Sequence, residues 1–243
     1  MEKNFPILYY HFIKSPDSKT RIKGLFTNEA HFEWQLKQLI KNGFNFITFE
    51  DIVKKRFDIT KRNLILTFDD GCESLYENAF PILKKYGVKA VIYVVTESIG
   101  ARSIVWEQNE FKEPLNILTE KQILEMAKFG IEFGSHACNH VHLPQLSSEN
   151  LKNELINSKL ILEKLLKLEI YSVAYPYGSY DKNVLELASE AGYKFGVTTK
   201  KGDNTQTGNL ELNRVAVKGH ALRHYWYFYK LLRREILNKD TAK

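Results

Sequence analysis

Short apolar runs alternate with amphipathic stretches along almost the whole chain, and that alternation narrows the fold more than any other feature. Strand-like runs lie at 6–10, 44–48, 63–68, 88–95, 131–134, 171–174, 194–198 and 214–217, with β-branched residues densest in 88–95. Helical spacing fills the intervals. Phe32, Leu36, Leu39 and Ile40 share one face of 27–41, and Leu151, Leu155, Leu162 and Leu166 one face of 147–168. Further helices are expected near 51–55 and over 77–86, 119–129, 183–191 and 221–237. Pro81 either kinks the second of these or delays its start. Thr119 and Gln122 are spaced as a capping box, and Asn42-Gly43, Gly87 and Gly130 are stop signals. Residues 96–118 lack a period and read as a loop over one face. Strands separated by helices require crossover connections, hence a parallel sheet, and their number favours closure into a barrel. Neither a linker nor a repeat breaks the 243 residues, so one domain is expected across 1–243.

Bulk properties exclude several classes. Net charge is +6, from 35 basic and 29 acidic residues, without a dense basic run in the first two hundred residues. That excess suits an anionic polymer or surface, solvated lysines explain it as well, and no nucleic-acid partner is expected. Two cysteines, Cys72 and Cys138, cannot build a disulfide framework and read as small packed thiols. No apolar run approaches the roughly 18 residues of a membrane span. The start, MEKNFPILYYHF, lacks a signal-peptide core and cleavage site, so a complete chain is expected in the cytoplasm and a trimmed one in the cell envelope. The segment HYWYFYKLLRREILNK reads first as packing against the barrel, with peripheral membrane contact as the alternative.

Polar clusters follow three of the strand-like runs, where barrels carry their chemistry. LILTFDDG at 64–71 ends in paired carboxylates, GSHACNHVHL at 134–143 brings two histidines four positions apart, and VAYPYGSYD at 173–181 follows a third run. Alone, each is a turn or a chance pair. Together, two histidines and a carboxylate form the three-ligand set of a catalytic zinc site, open to water and substrate. Cobalt, nickel or iron also accept such donors. Successive side chains on a strand point oppositely, so one aspartate can bind metal while its neighbour serves as base.

TFDDG at 67–71, SHACNH at 135–140 and AYPYG at 174–178 resemble the first three motifs of the polysaccharide deacetylases, the NodB-homology or carbohydrate esterase family 4 domain. ILYYH at 7–11 is similar to the start of the branch acting on poly-β-1,6-N-acetylglucosamine. The resemblance implies a distorted (β/α)7 barrel and a hydrolase that removes N-acetyl groups from saccharides. It implies Asp70, His136 and His140 as metal ligands, Asp69 as general base, and the backbone N–H of Tyr177 as oxyanion donor. Either His11 or His220 would protonate the leaving amine, and His11 is preferred. Where many relatives carry an arginine that pairs with the catalytic aspartate, this chain has Ala174, and Arg214 is the expected replacement. His142 is expected to support its loop, and His31 and His224 to lie at the surface. Two other readings keep parts of the same site: hydrolysis of another C–N bond, in a cyclic imide, ureide or small amide, and a non-catalytic carbohydrate-binding relative.

Overall fold

The computed structural model describes residues 5–16, 23–102, 115–217 and 224–233. In chain order its strands are β1 (Ile7–Tyr10), β2 (Phe12–Ile13), β3 (Phe26–Thr27), β4 (Phe44–Ile47), β5 (Arg62–Phe68), β6 (Val91–Val94), β7 (Glu132–Ser135), β8 (Ser172–Ala174), β9 (Phe195–Val197) and β10 (Val215–Ala216). Its α-helices are α1 (Glu29–Lys41), α2 (Phe49–Val53), α3 (Phe80–Tyr86), α4 (Glu120–Lys128), α5 (Ser148–Leu166), α6 (Lys182–Glu190) and α7 (His224–Leu231).

The main sheet runs β10-β1-β5-β6-β7-β8-β9, with β4 also on β5, and every strand pair in it is parallel. Its two ends approach one another. Val197 bridges Leu212 in parallel, and Leu212 N–H donates to Gly196 O at 2.8 Å while Thr198 N–H donates to Leu212 O at 2.9 Å. Leu212 leads into β10, so the path curls into the distorted barrel expected. One apolar cluster, with Ile7, Ile65, Val91, Tyr93, Ala174 and Val197, fills the inside. Another, with Leu8, Tyr10, Leu66, Phe68, Ile92 and Leu83, joins the sheet to the surrounding helices. Alternate residues of each strand thus face opposite layers.

Local chemistry accounts for the element boundaries. Asn28 caps α1 by accepting from His31 N–H at 2.8 Å. That helix begins two residues later than its apolar spacing suggests because Phe26–Thr27 pairs with Phe12–Ile13, a two-residue ladder too short to leave a period. α2 starts earlier than expected, at a capping box of Thr48 and Asp51. Pro81 lies in the first turn of α3, so the late start is the observed outcome, preceded by one wide π-turn over Leu75–Ala79. The Thr119–Gln122 capping box is present.

Phe228, Leu231 and Leu232 bury α7 against the helical layer, which fits packing against the barrel and leaves membrane contact without support. His31 departs from its expected surface position: it is partly buried, with its ring 5.2 Å from that of Tyr225. Ile40, counted with the apolar face of α1, is exposed. Among the described residues no helix is long and apolar enough to cross a membrane.

Candidate metal centre and active site

β5 delivers the paired aspartates. Thr67 and Asp69 follow the inward alternation, whereas Phe68 packs outward on Tyr10 and Phe32. Asp70 leaves the strand with φ 74°, a left-handed conformation that re-aims its carboxylate instead of continuing the pleat. Gly71 follows at φ 67°, where a Cβ would come within 3.2 Å of the Val94 side chain; glycine meets both demands.

β7 and the turn after it supply two imidazoles. His136 N–H continues the ladder by donating to Val94 O at 2.9 Å. Ala137 at φ 60° and His140 at φ 53° then fold the chain back, so both rings face Asp70. His136 Nε2 lies 3.4 Å and His140 Nε2 3.6 Å from Asp70 Oδ1, and one ligand atom from each of the three residues falls within 4.8 Å of the others. The far nitrogens are engaged. His136 Nδ1–H donates to Ala174 O at 2.7 Å. Tyr177 Oη–H donates to His140 O at 3.1 Å, so Oη accepts from His140 Nδ1–H at 2.9 Å. These bonds select the tautomer that turns each Nε2 lone pair toward Asp70, the support that metal-bound histidines use. Two nitrogen donors and one carboxylate at this spacing fit a divalent ion.

Charge at the site is arranged to suit. Burial, reinforced by His136, pushes His140 down to about 4, which keeps it neutral as a ligand must be. Burial would raise Asp70, but its hydrogen bond with His136 and the neighbouring histidines outweigh it and hold its carboxyl well below the usual range. Burial would lower His136, but the same contact raises it. Asp69 is also fully buried. Burial acts against its charge, yet Arg214 prevails and keeps it below its ordinary value. Arg214 grips it with both arms: Nη1 and Nη2 donate to Oδ1 and Oδ2, each at 2.7 Å. The same guanidinium donates through Nε to Thr198 O at 2.9 Å and through Nη1 to Thr67 Oγ1 at 3.2 Å. The cation thus reaches Asp69 from just before β10, two strands from β5 along the sheet path, whereas Ala174 offers only its carbonyl, which orients His136.

Of the other residues singled out in the sequence, His11 follows β1 and acts electrostatically on Asp69, Asp70 and His140, which puts it at the same strand-end cluster. Tyr177 is the second residue of the Pro176–Gly178 turn after β8, at φ 59°. His142 stacks on the Tyr177 ring at 4.1 Å, a loop-supporting place. Cys72 and Cys138 are buried and unbridged. His220 lies outside the described residues, as does the side chain of His224.

Residues 58–196 match the polysaccharide deacetylase family model. The chain belongs to the polysaccharide deacetylase family. It is 33% identical over 216 residues to the Bacillus subtilis protein YxkH, an overlap of 87% of this chain and 71% of that one. It is 30% identical over 226 residues to a poly-β-1,6-N-acetyl-D-glucosamine N-deacetylase of Staphylococcus aureus, covering 88% and 75%. Among solved structures, the Streptococcus pyogenes deacetylase PplD in complex with acetate superposes with TM-score 0.79 at 30% identity, over 94% of this chain and 99% of that one.

One residue of this polysaccharide deacetylase site escaped the sequence reading. Glu154 of α5 is buried and holds the histidine turn: Cys138 N–H and Asn139 N–H donate to Oε2 at 2.8 and 3.0 Å, and Asn139 Nδ2 donates to Oε1 at 2.7 Å. Its trace in the sequence is slight, a lone acid at the helix register of Leu151, Leu155 and Ser158.

Proposed function

We propose that this chain removes N-acetyl groups from poly- or oligosaccharides containing N-acetylglucosamine, using a divalent ion, zinc first, held by Asp70, His136 and His140. The observation that carries this reading is the juxtaposition of that triad with a buried, arginine-clamped Asp69. When bound, the ion supplies Lewis acidity toward water and the acetamide carbonyl. Asp69, kept ionised by Arg214, takes the proton of the attacking water on a carboxylate oxygen. The Tyr177 N–H, within its strained turn, donates to the oxygen that becomes anionic as the carbonyl is attacked. His11 returns a proton to the departing amine. The S. aureus relative's named substrate supports the saccharide class.

The test is acetate release by metal-reconstituted protein from N-acetylglucosamine oligomers, with small cyclic imides in parallel. Release from the oligomers alone is expected. Turnover of imides alone would replace the saccharide reading, and oligomer binding without release under zinc, cobalt and nickel would make the chain a binding protein. H11A should lose about 10²-fold or more in turnover, as expected for loss of a general acid, with metal content unchanged. H220A should lose less; full activity in H11A would move the acid role to His220.

A further inference from the structure

The clamp between Arg214 and Asp69 has an aromatic neighbour, Tyr9. Arg214 is only 1% exposed, and the partly exposed Tyr9 lies directly against it: the guanidinium carbon is 4.4 Å from the centre of the Tyr9 ring. Tyr93 flanks the same carbon at the longer distance of 5.8 Å. Strand alternation puts Tyr9 and His11 on the inner side of β1, while Tyr10 packs outward on Phe32 and Phe68. The Tyr9 ring accordingly meets His11 edge-on, with centroids 5.7 Å apart and planes at 62°. One side chain touches the cation that holds the proposed base and also the proposed acid.

Its own position is rigidly set. Tyr9 is in register with Thr67 on one side and Ala216 on the other, and its carbonyl accepts from Val217 N–H at 3.0 Å. A side chain whose backbone is anchored in this way can help orient the groups packed beside it. A guanidinium against an aromatic face is attracted electrostatically and loses rotational freedom. Here the ring lies against the same guanidinium that makes the two 2.7 Å bonds to Asp69.

We propose that Tyr9 is a positioning residue serving both proton-transfer groups: its face holds the Arg214 fork on Asp69, and its edge sets the His11 imidazole. The proposal rests on the deacetylase reading for its kinetic consequence, but not for its geometry.

Y9F and Y9L separate the ring from the hydroxyl. With N-acetylglucosamine oligomers, Y9F is expected within about threefold of wild-type kcat, whereas Y9L loses about tenfold or more, the equivalent of one desolvated cation–aromatic contact. KM and bound metal should stay unchanged in both. The Arg214 Nη–H resonances should remain separate and slowly exchanging in wild type and Y9F and collapse in Y9L. Wild-type kcat in Y9L, or Y9F damaged as severely as Y9L, overturns the proposal. Should Y9L fail to fold, Y9M fills similar space without a ring and is judged by the same outcomes. If wild-type protein releases no acetate, the functional reading fails, and the Arg214 resonances alone decide whether Tyr9 braces the fork.

Discussion

The two ends of this barrel treat buried charge differently. Where the strands end, Asp69, Asp70 and His136 are buried with closely placed partners, and the backbone departs from common conformations at Asp70, Ala137, His140 and Tyr177. The other described non-glycine residues with positive φ, Lys55 and Lys167, are exposed, where helix ends commonly take that form. Where the strands begin, Glu132 of β7 borders a cavity of about 70 Å³ with Glu50, Glu169 and Tyr171. Its Oε2 accepts from Glu50 N–H at 2.7 Å, but Oε1 has no hydrogen-bond partner among the described residues. Burial pushes its carboxyl up to about 7, and Glu50 and Asp51 add to the effect. Strain at one end coincides with converging ligands; at the other, the buried Asp51 is paired with Lys89 at 2.9 Å and Glu132 beside it is poorly solvated, without strained backbone at either acid. Backbone strain gathered around paired charges therefore sets the proposed site apart from a perturbed acid alone.

The largest effect that would break this contrast is at Asp70. D70A should lose stoichiometric metal and about 10⁴-fold in acetate release, several kcal/mol of transition-state stabilisation; retained zinc by elemental analysis would mean the triad is not the metal site. Next comes the clamp. R214K keeps the charge but not the fork that makes two 2.7 Å bonds. Turnover should fall roughly 10–100-fold, the worth of a charge-assisted hydrogen bond, with bound metal unchanged in elemental analysis.

Glu154 sharpens the comparison at smaller scale. E154Q turns an amide toward the Cys138 and Asn139 N–H groups, loosening the histidine turn, and should weaken zinc binding about tenfold in a competitive chelator titration. The smallest catalytic effect belongs to the opposite end. In Glu132 the folded-state carboxyl is raised from its ordinary 4.5 to about 7, so the folded protein favours the protonated form, and stability is lost as pH rises through that window. E132Q should leave turnover unchanged and flatten the decline, gaining about 1–3 kcal/mol over wild type at pH 8 in chemical denaturation but little at pH 4. A gain of equal size at both values would remove titration as the cause.

Much of the architecture was legible because period and punctuation are local. The capping box at Thr119, the stops at Gly43, Gly87 and Gly130, and the β-branched run around β6 act through neighbours in sequence. What escaped were β2 and β3, whose two-residue ladder depends on a distant partner, and the start of α1, displaced by that pairing. The pairing of His31 with Tyr225 was invisible for the same reason: the two ring positions belong to helices far apart in the chain.

At the site, residue type and order by themselves determined which groups were available: a strand ending in two acids, a turn with two imidazoles, and an arginine in reserve far downstream. Strand alternation predicted that Asp69 and Asp70 would diverge, but β5 ends at Phe68 and it is the left-handed conformation of Asp70, φ 74°, that aims its carboxylate. Only the tertiary structure decided that Arg214 reaches past β1 to fork Asp69, that Glu154 reaches from a helix to hold the histidine turn, and that Tyr9 lies against the arginine. Those are long-range contacts, set by how the sheet curls and which faces it buries, and no local spacing encodes a distance across a barrel.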